Sequence, residues 1–569
     1  MTRVWAPHAT RIRLVSGGET GPMTRTDDGW WHGHPPADDY AFLIDDDETP
    51  KPDPRSVWQP DGVHGPSRVY DHAAFDWTDA GWTGRTLAGS VIYELHVGTF
   101  TPDGTFDAAI ERLDHLVDLG VDLVELLPVN AFNGVHNWGY DGVGWFAVHE
   151  PYGGPDGLKR LVDACHARGL GVVIDAVYNH FGPSGAYAPM FGPYLTDGSN
   201  TWGRSLNLDG PESGEVRRFI IDSALHWLRD FHADGLRLDA VHALVDRGAT
   251  HLLEQLAAEV DALSTHVNRP LTLIAESDLN DARLITPREA NGYGLQAQWD
   301  DDVHHALHTL LTGERQGYYA DFGSPECLAT VWQGAFFHAG TWSSFRRRVH
   351  GRPIDRARTP GYRFIAYLQD HDQIGNRAVG DRLTATLTTG QLKLGAVLLL
   401  TGPFTPMLFM GEEWAARTPW QFFTSHPEPE LGAAVGAGRK AEFGRHGWTG
   451  DVPDPQDPAT FAASKLDWSE PTRPEHAEML AVYRELIALR RSVADLSDPR
   501  LDRVGVTTGP DHLVIRRGAH VVVANLADRP TRIEVPYGVD TVVYGTEQGI
   551  AMEAGSVELP GHAAAVLGR

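Results

Sequence analysis

The chain has 569 residues, 42% of them hydrophobic, enough for about three or four domains with large cores, so disorder is not the default. Its 48 Lys and Arg against 76 Asp and Glu give a formal charge of -28, which repels phosphate backbones and anionic headgroups and makes nucleic acid and membrane surfaces poor partners. Two cysteines, Cys165 and Cys327, cannot build a disulfide framework or a thiolate metal site, and they read as reduced, buried thiols of a cytoplasmic protein.

The opening stretch, Met1 to Val15, scatters Arg and His and lacks an apolar run, so no secretory signal is expected. Apolar and polar residues alternate over Arg11 to Leu14 and again at Tyr40, Phe42 and Ile44, with Gly17-Gly18 and Pro35-Pro36 as breaks, which predicts short antiparallel strands. Lys51 to Ser67 is too rich in Pro and Gly for a helix or a central strand and reads as an ordered connector. An N-terminal β-sandwich is expected over 1–82.

From Gly89 onward, apolar runs alternate with helical segments. Val91 to Val97, Leu123 to Val129, Gly171 to Val177, Gly235 to Val241, Leu271 to Ala275, Leu295 to Trp299, Phe364 to Leu368 and Pro406 to Met410 are strand-like. Between the first pair, Phe106, Ile110, Leu113 and Val117 recur at helical spacing, and Gly120 stands where a left-handed C-cap belongs; the next helix ends at Arg168-Gly169. Eight strands each followed by a helix predict an α/β fold, a (β/α)8 TIM barrel, over 83–492, with extra helices near 300–363. The most apolar stretch, Leu394 to Met410, is broken by Pro403 and Pro406 and is expected to be a buried helix and a strand, not a membrane span. After a helix at Ala477 to Arg491, short alternating runs return and predict a C-terminal antiparallel β-domain over 493–569. The acidic runs Asp45 to Glu48 and Asp300 to Asp302 lack the Gly and distant Glu of a calcium loop and are expected to be solvated turns.

A barrel enzyme places its chemistry at the C-terminal ends of its strands. Four of these ends carry acids: Asp175 to His180 (DAVYNH), Gly235 to His242 (GLRLDAVH), Ile274 to Asp278 (IAESD) and Tyr367 to Gln373 (YLQDHDQ). Arg237 and Asp239 are two apart on one strand and project to the same side, so the guanidinium holds the carboxylate ionised. Glu276 follows Leu273, Ile274 and Ala275, surroundings that keep a carboxyl protonated. Two carboxyls driven apart in this way form the acid and the nucleophile or stabiliser that glycoside cleavage needs. The 17 tryptophans, beside 16 tyrosines and 21 phenylalanines, suit sugar rings, although packing accounts for most of them.

These four ends together resemble the signature regions of the α-amylase family of glycoside hydrolases and transglycosidases, and the resemblance runs over nearly the whole chain. It implies that the N-terminal sandwich is of the carbohydrate-binding type. It further implies that Asp239 is the nucleophile of a retaining reaction, Glu276 the general acid/base and Asp372 the third carboxylate, gripping ring hydroxyls in the transition state. Arg237 would orient Asp239, His180 and His371 would bind hydroxyls in the -1 subsite, and Tyr140 of NWGYD would stack beneath that ring. Asp175 would either brace the site or only fix a strand end. Asn179 occupies the place where many relatives bind calcium, but the short passage after it lacks a developed calcium-binding domain, so no metal and no cofactor are expected. His115, His166 and His226 read as ordinary helix-surface residues.

Within the family, Val4 to Ala9, Asp53 to Ser67, Pro128 to Val143, Pro403 to Trp414 with Gln421 to Phe423, and Ser464 to Trp468 are similar to a trehalose-releasing subgroup. That similarity implies cleavage of the α-1,4 bond next to the terminal trehalose of malto-oligosyltrehalose, and a pathway shared with malto-oligosyltrehalose synthase. Glu413, Trp414, Phe422 and Phe423, after the eighth strand, are then candidates for the wall that holds trehalose, with barrel-end packing as the alternative. A glucan branching enzyme with the same carboxylates, or a silent glucan-binding protein on the same fold, are the competing readings.

Overall fold

Eight parallel strands close into a barrel in the computed structural model of the chain, which describes residues 2–445, 451–536 and 538–569; Met1, the first residue of the opening stretch, lies outside them. The barrel strands are β1 (Ile92–Leu95), β2 (Leu123–Leu126), β3 (Gly171–Ala176), β4 (Gly235–Leu238), β5 (Thr272–Ala275), β6 (Ala297–Trp299), β7 (Phe364–Tyr367) and β8 (Thr405–Phe409). They pair in sequence order, and β8 closes on β1 with Phe409 opposite Glu94. Each falls within or beside one of the eight apolar runs. Most are shorter than the run because the chain leaves the ladder at the C-terminal end, as at Ala240, where φ is 41°. All eight are buried along their whole length, which is why the sequence shows continuous apolar runs and not alternation.

Gly120 ends its helix in the left-handed region, φ 97°, and its N–H bonds the carbonyls of Leu116 and Val117. The stretch Leu394 to Met410 divides into the end of a buried helix, Thr389–Thr401, and β8. Among the described residues no helix is long and apolar enough to cross a membrane. The segment between β6 and β7 holds two helices, Asp301–Thr312 and Pro325–Gly334, and a hairpin of Thr341–Ser343 with Arg348–His350.

Before the barrel, a three-stranded and a four-stranded antiparallel sheet enclose Val4, Ile12, Leu14, Trp31 and Phe42, with Phe191 reaching in from the barrel side. Ile12, Leu14 and Ser16 face Ile44, Phe42 and Tyr40 across one strand pair, the alternation visible in the sequence. After it, a five-stranded and a three-stranded sheet enclose Val521, Val523, Ile533, Val557 and Leu567. The connector, and the stretch from it to Trp82, are tied to the barrel by Arg55 on Asp222 at 2.8 Å, Trp58 Nε1 on Glu150 at 2.8 Å and Trp82 Nε1 on Asp234 at 2.8 Å.

This covering changes the reading of several polar residues. His166 is not on the helix surface: it is buried, with Asp79 at 2.8 Å on one nitrogen and Asp234 at 3.0 Å on the other, and Trp82 stacks on it. His226 is buried against Asp230 and the Phe146 carbonyl, and His115 is half-buried against Glu413. Helix faces that would meet water in a bare barrel here meet the stretch from His72 to Trp82 and the segments around Trp414 and Trp468. The Asp300 to Asp302 run is not a solvated turn either. Asp300 is buried and caps the helix Asp301–Thr312. Asp302 is buried and accepts from Asn280 and from the N–H groups of Phe337 and His338.

Candidate active site

One layer of inward apolar side chains, Ile92, Leu123, Val173, Ile274, Ile365 and Met407, fills the barrel. A strand repeats its direction every two residues, so the next inward positions toward the mouth are Glu94, Glu125, Asp175, Glu276 and Tyr367. On β4 the same spacing runs Gly235, Arg237, Asp239. Gly235 has no room for a side chain: a Cβ there would lie 2.7 Å from the Thr272 carbonyl.

Arg237 is the hub. Its guanidinium is fully buried over the face of Trp299, 4.5 Å from the ring centroid. Nη1 donates to Asp239 Oδ1 at 2.6 Å and to both oxygens of Asp175 at 3.0 Å, and Nη2 lies 3.9 Å from Glu276 Oε2. The second Asp239 oxygen accepts from Asn179 Nδ2 at 3.0 Å. Among the described residues Glu276 takes one short bond, from the N–H of Ala240 at 2.6 Å. Burial, with Asp239 nearby, pushes its carboxyl up to about 8 against the pull of Arg237, so at neutral pH it carries a proton. The two carboxyls thus differ as an acid and a nucleophile must.

Asp372 lies in the first turn of the short helix His371–Gly375, which Asp370 caps, and leaves nearly half of its side chain in the open cleft; Asn376 Nδ2 is 3.3 Å from it and His371 Nε2 3.6 Å. Tyr140 donates to Asp175 at 2.6 Å, sits 2.7 Å from His371 Nε2 and stacks on that ring. His180 is buried, its nitrogens 2.6 Å from Asn179 Oδ1 and 2.9 Å from the Tyr140 carbonyl. Tyr140, Asp175, His180, Arg237, Asp239, Glu276, His371 and Asp372 are therefore joined, directly or through one shared partner, at one mouth. Asp175 does more than fix a strand end, since it links Tyr140 to Arg237.

The trehalose-wall candidates fare differently. Glu413, Trp414 and Phe423 are fully buried and present no surface to a ligand. Glu413 binds Tyr93 Oη at 3.0 Å and His115 at 2.7 Å; Tyr93 alternates with Glu94 and so points out of the barrel, which puts Glu413 behind the strands. Trp414 donates to Glu470, and Phe423 packs on Trp420 and Phe461. Barrel-end packing is the correct reading for these three. Phe422 alone keeps some exposure, edge-on to Trp138 and beneath Arg439.

Four neighbours of the site were not singled out from sequence for it. Asn179, weighed only for calcium, touches Asp239. Glu94 grips His371. Asp301, at the end of β6, bonds the Tyr367 hydroxyl, and burial with the charges of Asp278 and Asp372 raises its carboxyl to about 6. Trp202 is 47% exposed in a turn after β3 and stacks on His180. An acid at the end of a barrel strand was the available signal for Asp301; nothing in the sequence distinguishes Trp202 from sixteen others.

The chain is similar to known proteins along most of its length. Residues 68–189 match the family model described as alpha amylase, catalytic domain. A malto-oligosyltrehalose trehalohydrolase from Arthrobacter ramosus is 65% identical over 500 residues, covering 86% of this chain and 87% of that protein. The crystal structure of a putative alpha amylase from Salmonella typhimurium superposes with a TM-score of 0.91 at 36% identity, over 100% of this chain and 97% of that one. A 1,4-alpha-glucan branching enzyme from Bacillus caldolyticus is more distant, 29% identical over 74% of this chain and 65% of its own.

Proposed function

This chain belongs to the malto-oligosyltrehalose trehalohydrolases of the α-amylase family, and on that premise we propose the roles of its residues. It is a glycosidase acting on malto-oligosyltrehalose. Asp239 attacks the anomeric carbon on the non-reducing side of the trehalose unit, Glu276 gives its proton to the leaving oxygen, and water then releases the maltooligosaccharide with retention. Asp372 and His371 grip the hydroxyls of the ring at the -1 subsite, with Tyr140 beneath it. The observation that carries this reading is the opposite treatment of two adjacent carboxyls, Asp239 tied to Arg237 at 2.6 Å and Glu276 kept protonated by burial.

Trehalose leaves from the +1 and +2 positions. Phe422, with its partial exposure beside Trp138, is the one original wall candidate that fits there; Glu413, Trp414 and Phe423 are withdrawn. We further infer division of the chain near residues 82 and 492, a substrate supplied by malto-oligosyltrehalose synthase, and a cytoplasmic setting, which the buried thiols of Cys165 and Cys327 suit.

The test is a comparison of maltotriosyltrehalose with maltopentaose. The 1,1-linkage turns the last glucose at an angle that a 1,4-linked chain does not reproduce, and hydroxyls left unpaired in a buried subsite are costly. The expected kcat/KM ratio is at least about tenfold, roughly 1.4 kcal/mol, with trehalose released. Equal rates, or branched chains from amylose without trehalose, would overturn the assignment.

A further inference from the structure

Glu94 lies on the far side of His371 from the cleft, and the hydrogen bonds around that ring leave two placements of its protons. Glu94 Oε1 accepts from His371 Nδ1 at 2.5 Å, and Oε2 accepts the His371 backbone N–H at 3.0 Å; both side chains are 1% exposed. One carboxylate on β1 thus fixes both the ring and the main chain of a residue that follows β7. On the other side, His371 Nε2 is 2.7 Å from the Tyr140 hydroxyl, which is 2.6 Å from Asp175 Oδ2.

Tyr140 has a single proton for these two neighbours. Asp175, with both oxygens on Arg237, is an acceptor, so Tyr140 donates to it and must accept from Nε2. With Nδ1 donating to Glu94, the imidazole holds a proton on each nitrogen. An alternative placement exists on the same atoms: a proton on Asp175, Tyr140 donating to Nε2, and a neutral ring. Burial favours that neutral form, but Asp372 and Glu94 overcome it and hold His371 up to about 10.

We propose that Glu94 is a positioning residue that holds His371 as an imidazolium, so that a cationic N–H faces the sugar ring beside Asp372. Without Glu94 the proton passes through Tyr140 to Asp175, and the subsite loses both that cation and an anionic partner of Arg237. The proposal rests on His371 lining the -1 subsite, and it adds a residue that touches no substrate.

The other groups around the ring leave this role to Glu94. Glu125 on β2 and Asp370 before the ring have carboxyls raised by burial and by the neighbouring carboxylates, Glu94 among them, and neither is within hydrogen-bond reach of the ring. Burial lowers His96, after β1, to about 3, and the remaining cation is Arg237 on β4. Asp372 also raises His371 but is 3.6 Å from Nε2 and nearly half exposed, whereas Glu94 is buried and hydrogen-bonded to the ring.

The experiment uses the full chain with 15N-labelled histidine, the His371 signals being those missing from His371→Gln. The expected wild-type spectrum has both His371 nitrogens protonated from pH 6 to pH 9, and in Glu94→Gln one of them loses its proton between about pH 6 and 8. A neutral His371 in the wild type at pH 7 overturns the proposal, and this titration decides it alone if Glu94→Gln does not fold. In turnover of maltotriosyltrehalose, the alkaline limb of kcat is expected to move down by about one pH unit or more in folded Glu94→Gln, with KM within about twofold of wild type. An unmoved limb also overturns it. Absence of trehalose release by the wild type would overturn only the substrate reading, because the NMR titration needs no substrate.

Discussion

Arg237 holds Asp239 through a single nitrogen, Nη1, 2.6 Å from Oδ1. Because the guanidinium is sealed over Trp299 and shared with Asp175, it holds the Asp239 carboxylate in one orientation. Its second oxygen accepts from Asn179. A carboxylate aimed in this way is suited to attack.

The first expectation concerns that attack. Asp239→Asn retains the bond from Arg237 but not the nucleophile, so the protein should fold and lose about 10³-fold or more in kcat/KM. Circular dichroism checks the fold, and mass spectrometry excludes deamidation. Turnover near the wild-type rate by the verified Asp239→Asn protein would remove Asp239 from its role.

Glu276 links catalysis to stability, and both fall as pH rises. As the acid it must be protonated, so activity should fall as pH rises through about 8. Its folded value lies above the ordinary 4.5, so the stability it contributes is present below 4.5 and drains away as pH rises toward 8, where the unfolded chain ionises and the folded one does not. Glu276→Gln should therefore abolish activity while melting higher than wild type at pH 7.5, and the difference should shrink at pH 4.5. A variant that melts lower at pH 7.5 would contradict a buried, protonated Glu276.

Glu413 should matter for stability and not for specificity. It is fully buried, with Tyr93 and His115 as partners, so Glu413→Ala takes a partner from the buried Tyr93 hydroxyl and from the half-buried His115 and should cost about 3 kcal/mol in urea unfolding. The ratio of kcat/KM for maltotriosyltrehalose and maltopentaose should not change. A shift in that ratio without loss of stability would return Glu413 to the trehalose wall.

Chelation tests the metal reading. Among the described residues, the group with metal-ligand spacing is His72, His226 and Asp230, where the connector meets an outer helix and not at the barrel mouth. Activity should survive EDTA unchanged. Loss that calcium restores would show that Asn179 and nearby carboxylates hold an ion.

What was legible in the sequence follows from what is periodic. The barrel was readable because its strands are apolar throughout, and the acids at its mouth because they stand at, or within a few residues of, the C-terminal ends of such runs. Glu94 sits inside a run, between Tyr93 and Leu95, and its partner is 277 residues away, so no local pattern announces it. His166 and Asp302 were misread for a related reason: their burial comes from the connector and from the segment after β6, not from their own element. Glu413, Trp414 and Phe423 follow a strand end as the true site residues do, yet they turn behind the barrel, and a sequence does not record which way a loop turns.

Trp202 carries the last expectation. It stands in the turn of the hairpin Leu195–Ser199 with Arg204–Leu206, 47% exposed, its indole nearly parallel to the buried ring of His180. His180 in turn holds the Tyr140 carbonyl, so the indole is two contacts from the residue placed beneath the -1 ring. A large apolar face left open to water beside a sugar site suits binding, and stacking of a ring against it removes that face from water. Trp202→Ala should then raise KM for maltotriosyltrehalose about tenfold, roughly 1.4 kcal/mol, with kcat changed less than about threefold. Trp202→Phe, which keeps a flat face of smaller area, should fall between. The same loss of kcat as of kcat/KM would instead mean that Trp202 acts through His180 on the transition state, and unchanged constants in both variants would take it out of the substrate's path.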